Sequence, residues 1–218
     1  MSQLFPRYAN TLARASIVAV VLGLVGLGVV GYGWVQSSYA TGVATHVSQP
    51  VPFSHEHHVS GLGLDCRYCH TSVETSSFAG MPSTHTCMTC HSQIWKDSPT
   101  LAPVRESLTT GTPIVWNRVY RLADFAYFDH HAHVAKGVGC TTCHGAIERM
   151  PLTAAAHPMR MQWCLECHRS PERFLRPREE VFNVRWTPPH DQIEQGRRLM
   201  QAYGVPAHGL DNCSVCHR

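Results

Sequence analysis

The chain has 218 residues, with 18 Lys and Arg against 15 Asp and Glu. This length leaves room for one ordinary domain or two small ones and excludes a large multidomain enzyme, and a formal net charge of +3 is too small to predict a nucleic-acid partner. The ten Cys and 16 His are far more metal-binding side chains than a folding core needs, so the composition indicates bound metal.

The first predicted element is an apolar helix over 15–36, which carries no charged residue. A helix of this length spans roughly 30 Å, the thickness of one bilayer core. Arg7 and Arg14 precede it and the next basic residue is Arg67, so the positive-inside rule places the N-terminus in the cytoplasm. We therefore expect an uncleaved single-pass anchor, with the rest of the chain outside. The alternative is a signal peptide cleaved after Ala40.

Three glycines lie on one side of this helix: Gly23, Gly26 and Gly33. Small residues on one face allow a second helix to approach closely, which predicts packing against a membrane partner. Glycine is also simply common in membrane helices, and the sequence leaves both interpretations open.

All ten cysteines belong to five copies of the pattern C-x-x-C-H. The copies are Cys66, Cys69 and His70; Cys87, Cys90 and His91; Cys140, Cys143 and His144; Cys164, Cys167 and His168; and Cys213, Cys216 and His217. Two thiols at this spacing can form thioethers to the two vinyl groups of one haem, and the adjacent His then lies under the iron. The sequence therefore predicts five covalently bound haem c groups.

Zinc and disulfides are the two alternatives for these cysteines. Paired C-x-x-C units also occur in zinc sites, but a zinc site does not require His after every second Cys. An even number of cysteines outside the cytoplasm would also suit disulfides, which again leave the five histidines unexplained.

A second repeated pattern, F-[SD]-H-x-x-H-V, precedes the first and third motifs, beginning at Phe53 and at Phe128. The two copies are 75 residues apart (128 minus 53), and this offset indicates a duplicated dihaem unit. Two His at i and i+3 project close together but not identically, so they can reach two different irons. The predicted distal iron ligands are His55, His58, His130 and His133. His57 and His131 fall between them and are expected to point elsewhere.

One haem then lacks a distal ligand. Met150 and Met161 flank the fourth motif, and His157 lies seven residues before Cys164. A thioether ligand raises the potential of a haem. Met161 is too close to Cys164 to reach the far face of its own haem and would cap a neighbour. The sequence slightly favours Met161 and leaves Met150 and His157 open.

We expect a mostly irregular fold with short α-helices, packed around five haems, because the porphyrins supply apolar surface and prolines are frequent. One amphipathic helix is predicted over 189–203, with Ile193, Leu199 and Tyr203 inward and Gly204 as its stop. The predicted segments are the cytoplasmic N-terminus, 1–14; the anchor, 15–36; a linker, 37–52; a first dihaem unit, 53–110; a second dihaem unit, 111–186; and a C-terminal segment with the fifth haem, 187–218.

Several stretches of the sequence resemble known multihaem cytochromes. The F-x-H-x-x-H frame is similar to that of small cytochromes of the c3 and c7 kind. The whole chain resembles the pentahaem cytochrome c subunit of alternative complex III, a bacterial quinol oxidoreductase. This second resemblance is carried by L-F-P-R-Y-A-N-T, P-F-S-H-E-H-H-V, C-R-Y-C-H-T-S-V-E, C-M-T-C-H-S-Q-I-W, Y-F-D-H-H-A-H-V, G-V-G-C-T-T-C-H-G, R-M-P-L, M-Q-W-C-L-E-C-H-R and N-C-S-V-C-H-R.

The resemblance to alternative complex III implies a relay subunit in the bacterial inner membrane, with its haem domain on the periplasmic or extracytoplasmic side. Electrons from quinol oxidised with iron–sulfur and integral membrane subunits would pass to a mono-haem cytochrome c or an oxidase. The family also implies one Met axial ligand, which fits Met150 or Met161. His157 departs from that pattern.

The residues themselves also favour a relay, because haems with both axial positions filled offer no open iron for substrate. No catalytic residue is predicted, and the chain is not expected to be an enzyme on its own. One alternative is an autonomous single-anchor quinol dehydrogenase of the NapC/NrfH kind, which needs a quinone pocket beside a haem near the anchor. Another is a catalytic multihaem reductase, which needs a five-coordinate haem.

Overall fold

The apolar N-terminal segment forms one long helix, α1 (Ala9–Gln36), in the computed structural model, which describes residues 4–217. By length and composition this helix is able to cross a membrane. None of its residues is buried within the described chain, and an apolar surface of this size needs a cover such as lipid. The helix begins at Ala9 rather than at residue 15, because the residues after Pro6 already form helical hydrogen bonds.

The end of α1 is marked by a short polar and aromatic stretch. Ser37 caps the four-residue helix α2 (Ser38–Thr41) by accepting a hydrogen bond from the Ala40 amide. The Trp34 and Tyr39 rings lie 5.1 Å apart, an aromatic pair of the kind found at membrane interfaces.

The chain divides into two compact units, Met1–Gly42 and Val43–Arg218. This boundary falls inside the predicted linker, 37–52. The boundaries predicted within the second unit stay predictions.

The second unit is made of short helices joined by irregular segments. The helices are α3 (Cys66–Cys69), α4 (Thr84–His91), α5 (Ala102–Thr110), α6 (His130–Ala135), α7 (Cys140–His144), α8 (Met161–Arg169), α9 (Gln192–Tyr203) and α10 (Cys213–Cys216), together with a π-helical turn, Glu56–Gly61. Residues 4–217 contain isolated β-bridges but no strand. The predicted mostly irregular fold with short helices and one apolar N-terminal helix is confirmed.

Buried apolar side chains are few and scattered through the second unit. One small group consists of Val51, Leu101 and Val104, with Trp116 partly buried against it. A second pair, Leu175 and Val181, is almost fully buried. So small a core does not offset the entropy cost of ordering this many residues, and a large apolar cofactor would supply the missing burial.

Helix α9 shows where the sequence prediction held and where it was wrong. The helix ends at Gly204, whose φ of 61° suits glycine. Its buried face, however, is formed by Gln192 and Gly196, while the predicted inward residue Ile193 is 41% exposed. The reason is that α9 packs against backbone. A Cβ at Gly196 would overlap the Glu172 carbonyl, and Gln192 donates to the same carbonyl at 3.0 Å.

Candidate haem sites

Each C-x-x-C-H motif coincides with a short helical turn. Helices α3, α7 and α10 consist of little more than the motif, whereas α4 and α8 continue the turn for a few residues before it. A helical turn brings two thiols at i and i+3 to the same side. The ten cysteines are free thiols with at least partial exposure, so their arrangement is open to thioether formation.

The histidines that close the motifs are held by their Nδ1 atoms. The Nδ1–carbonyl distances are 2.7 Å from His70 to Gly80, 3.0 Å from His91 to Ile94, 2.8 Å from His168 to Leu210 and 3.1 Å from His217 to Phe125. A carbonyl only accepts, so Nδ1 carries the proton and Nε2 keeps its lone pair free for a metal. His144 lacks such a bond within residues 4–217, and its ring meets Tyr120 edge-on at 5.0 Å.

The two F-x-H-x-x-H frames make the same local contacts. In the first, the Phe53 ring stacks on His58 at 4.4 Å and meets His55 edge-on at 5.0 Å. In the second, Phe128 stacks on His133 at 4.4 Å and meets the earlier frame histidine edge-on at 4.8 Å. These equal contacts support the inferred duplication and orient both His rings of each frame.

The frame histidines are also anchored through Nδ1. His58 and His133 donate to backbone carbonyls four residues earlier, at 2.8 and 2.7 Å. His130 donates to Ser77 at 2.9 Å, and Nδ1 of His55 lies 3.1 Å from the Thr153 hydroxyl.

Three frame histidines face the histidine of a motif. The ring centres lie 6.2 Å apart for His58 and His91, 6.5 Å for His130 and His144, and 6.1 Å for His133 and His168. Two imidazoles that bind one metal from opposite sides, each at about 2.0–2.1 Å, have ring centres roughly 6.4 Å apart. The observed separations therefore fit axial pairs for the second, third and fourth motifs.

The fourth frame histidine, His55, lies beside His70 of the first motif. Burial, and to a lesser extent His70 and His58, lower the pKa of His55 to about 4. The pKa of His144 is lowered to about 4 as well, mainly by burial. Both rings are neutral near pH 7, the form in which imidazole binds iron.

The donor set fits haem c. Two thiols and one imidazole per motif match the covalent and proximal attachments, and the facing imidazoles match distal ligands. When bound, each haem supplies a one-electron couple. Anchoring by itself does not define a ligand, because Nδ1 of the exposed His46 also donates to Leu152 at 2.9 Å without a facing histidine. His57 and His131 are exposed between the frame histidines.

The three candidates for the fifth distal ligand lie in different surroundings. Met161 opens α8 and is 64% exposed. The Met150 carbonyl accepts a hydrogen bond from the Glu56 amide at 3.1 Å, which places Met150 beside the first frame. His157 stacks on Trp163 at 5.1 Å.

Sequence reasoning missed the groups that orient the imidazoles. The acceptors for the motif histidines are backbone carbonyls at no fixed sequence distance, from three residues away for His91 to 42 residues away for His168. A carbonyl is present at every residue, so no sequence signal could have revealed them. Thr153 and Tyr120 carry no motif either.

Comparison with known proteins finds that part of the chain is similar to multihaem cytochromes c. Residues 126–218 match the family described as cytochrome c7 and related cytochrome c. Over 138 residues the chain is 35% identical to the multihaem cytochrome c subunit of menaquinone reductase from Nitratidesulfovibrio vulgaris (strain Hildenborough). This match covers 63% of the chain, which spans about 61% of that relative's length. Cytochromes of this class carry covalently bound haem c.

The number of haems is a prediction that mass spectrometry can check. Because five intact motifs use all the cysteines, we expect a mass increment of five haems per chain and the same ratio from a pyridine haemochrome titration. The double variant Cys213→Ala and Cys216→Ala is the matched control and should carry four. A wild-type count of four or fewer would contradict the prediction.

Proposed function

We propose that this chain is an electron relay, in which five haems c carry electrons between a quinone-linked membrane partner and a second redox protein. The observation that carries this proposal is the set of facing imidazoles, which would fill both axial positions of a haem at the second, third and fourth motifs. An iron with two protein ligands transfers electrons but binds no substrate. The chain then needs no catalytic residue of its own.

Contacts between the cysteines suggest the order of the relay. A neighbouring thiol raises or lowers the pKa of a cysteine only at close range. Such effects act on Cys69 from Cys87, between Cys66 and Cys140, on Cys143 from Cys167, and on Cys164 from Cys216. These pairs link the first motif to the second, the first to the third, the third to the fourth and the fourth to the fifth. From them we infer the series second, first, third, fourth, fifth.

We further propose that the relay is the pentahaem subunit of an alternative complex III, anchored by α1 in a bacterial inner membrane. Its partners would be iron–sulfur and integral membrane subunits, with a mono-haem cytochrome c or an oxidase as acceptor. The resemblance of nine sequence stretches supports this assignment. The similar menaquinone reductase subunit supports the link to quinones, and its name indicates electron flow toward quinone. The direction of electron flow is set by the relative reduction potentials of the haems at the two ends of the series.

Blue-native electrophoresis of solubilised membranes with haem staining tests the proposal. A relay subunit should migrate in a large complex. The purified chain, mixed with a menaquinol analogue, should stay oxidised without its partners. Migration as a free chain together with rapid reduction by quinol would instead identify an autonomous quinol dehydrogenase.

Replacing glycines in α1 should weaken the attachment to that complex. Among residues 4–217, nothing lies within 4 Å of a Cβ built at Gly23, Gly26 or Gly33, so leucines there fit the helix itself. If these glycines pack against a partner helix, the triple Leu variant should be lost from the complex in detergent with its haem content unchanged.

Leucines at Gly28 and Gly31 are the matched control, since these glycines lie on another side of α1 and have equally open surroundings. Equal retention of both variants would assign the glycines to ordinary membrane-helix composition.

A further inference from the structure

Arg176 is a buried cation that the relay as described does not use. Only 3% of its surface is exposed, and its Nε has no hydrogen-bond partner. Within residues 4–217, no carboxylate lies within ion-pair distance of its guanidinium. Burying a charge without a counter-ion is costly.

The guanidinium lies directly behind the third motif. Its Nη2 donates to Thr141 at 3.1 Å and to Thr142 at 3.3 Å, the two residues between the motif cysteines. The residue before the motif is Gly139, where any Cβ would overlap the guanidinium.

Neutral groups hold this charge in place. The guanidinium carbon lies 4.2 Å from the centre of the Trp186 ring, and Nη1 donates to the Glu180 and Asn183 carbonyls at 3.5 and 3.4 Å. The Glu180 carboxylate is near enough to favour the charged guanidinium, but its hydrogen bond goes to the Asn183 side chain. The positive charge therefore faces the motif without a paired negative charge.

We propose that Arg176 sets the potential of the haem held by Cys140, Cys143 and His144. Reduction lowers the charge of a haem by one, so a fixed neighbouring cation stabilises the reduced form, and more strongly where the dielectric is low. Arg176 thereby raises the reduction potential at the third motif, the centre of the proposed series. This inference rests on the proposed function only in that the third motif holds a haem.

Redox titration of Arg176→Gln tests whether the positive charge of Arg176 raises the potential of this haem. The equilibrium for reducing one haem should shift toward the oxidised form by on the order of tenfold, which is 59 mV for one electron. The four other midpoints should stay in place. Arg178→Gln removes the same charge two residues away, where the side chain is exposed and packs on Tyr203, and it should move no midpoint.

The variant Arg176→Lys distinguishes the effect of the charge from the effect of packing. Because lysine keeps the positive charge, the midpoint potential of the third-motif haem should stay close to the wild-type value. A fall as large as in Arg176→Gln would assign the effect to packing and overturn the proposal. Unchanged midpoints in Arg176→Gln with full haem content would overturn it too.

If Arg176→Gln loses haem, Trp186→Leu takes its place, since it frees the guanidinium to move away from the motif. This variant should lower the same midpoint by a smaller amount, and unchanged midpoints there would overturn the proposal. If the wild-type chain carried no haem at the third motif, the proposed relay itself would be contradicted. The haem count detects that case separately.

Discussion

Replacing His130 by alanine is expected to turn one of the five haems from low-spin to high-spin. The ring of His130 faces that of His144 at 6.5 Å with only 5° between the two planes. Its Nδ1 donates to the Ser77 carbonyl, which leaves Nε2 as the free donor. Alanine removes that donor, and an iron with one strong axial ligand is high-spin. About a fifth of the haem signal should change in electron paramagnetic resonance and in the visible spectrum.

His131→Ala is the matched control for this variant, because the neighbouring His131 is exposed and faces no motif histidine. It should leave all haems low-spin. Alanine at each other frame position, His55, His58 or His133, should instead turn one haem high-spin, as in His130→Ala. A spectrum that stays low-spin in one of these variants, with no substitute ligand, would remove that histidine from the ligand set.

The repeated frames made most of the site predictable, because local spacing fixes local contacts. Phe53 and Phe128 stack on the second histidine of their frames in the same way, as expected of a duplicated unit. The i and i+3 spacing was enough to infer that each frame serves two irons. In the same way, the C-x-x-C-H spacing was enough to predict covalent attachment of haem.

Long-range packing was not predictable from the sequence. Helix α9 was expected between 189 and 203 and runs over Gln192–Tyr203; Leu199 and Tyr203 are half-buried as predicted, but the inward placement of Ile193 was wrong. A hydrophobic pattern places Ile193 inward, whereas the backbone around Glu172 demands glycine at Gly196 and leaves Ile193 exposed. The order of the motifs could not be read from the sequence either, because the first motif contacts the third through Cys66 and Cys140, across a long stretch of chain.

Replacing Met161 by alanine is expected to lower the potential of one haem by on the order of 100 mV, because a thioether ligand raises a haem potential. The four frame histidines leave one iron without a distal ligand. Met161 and Cys164 lie at i and i+3 on α8, on the same side of the helix. Cys164 in turn is close enough to Cys216 for that thiol to raise its pKa. This turn of α8 therefore lies beside the fifth motif.

Met150 supplies the matched control for the methionine assignment. Its backbone accepts from Glu56 beside the first frame, where His55 and His58 are the predicted distal ligands, so Met150→Ala should leave every midpoint in place. Near-infrared magnetic circular dichroism gives an independent measurement, because a methionine ligand to ferric haem produces a charge-transfer band. The band should be present in the oxidised wild type and in Met150→Ala and absent from Met161→Ala.

Absence of the band from the wild type would show that no methionine is an axial ligand and make His157 the leading candidate. The His157 ring stacks on Trp163 at 5.1 Å, and within residues 4–217 its Nδ1 lacks the carbonyl bond that orients most of the other predicted ligand rings. It would therefore have to turn away from Trp163 to reach an iron. His157→Ala should then convert one haem to high-spin, whereas with Met161 as the ligand the same variant keeps all haems low-spin.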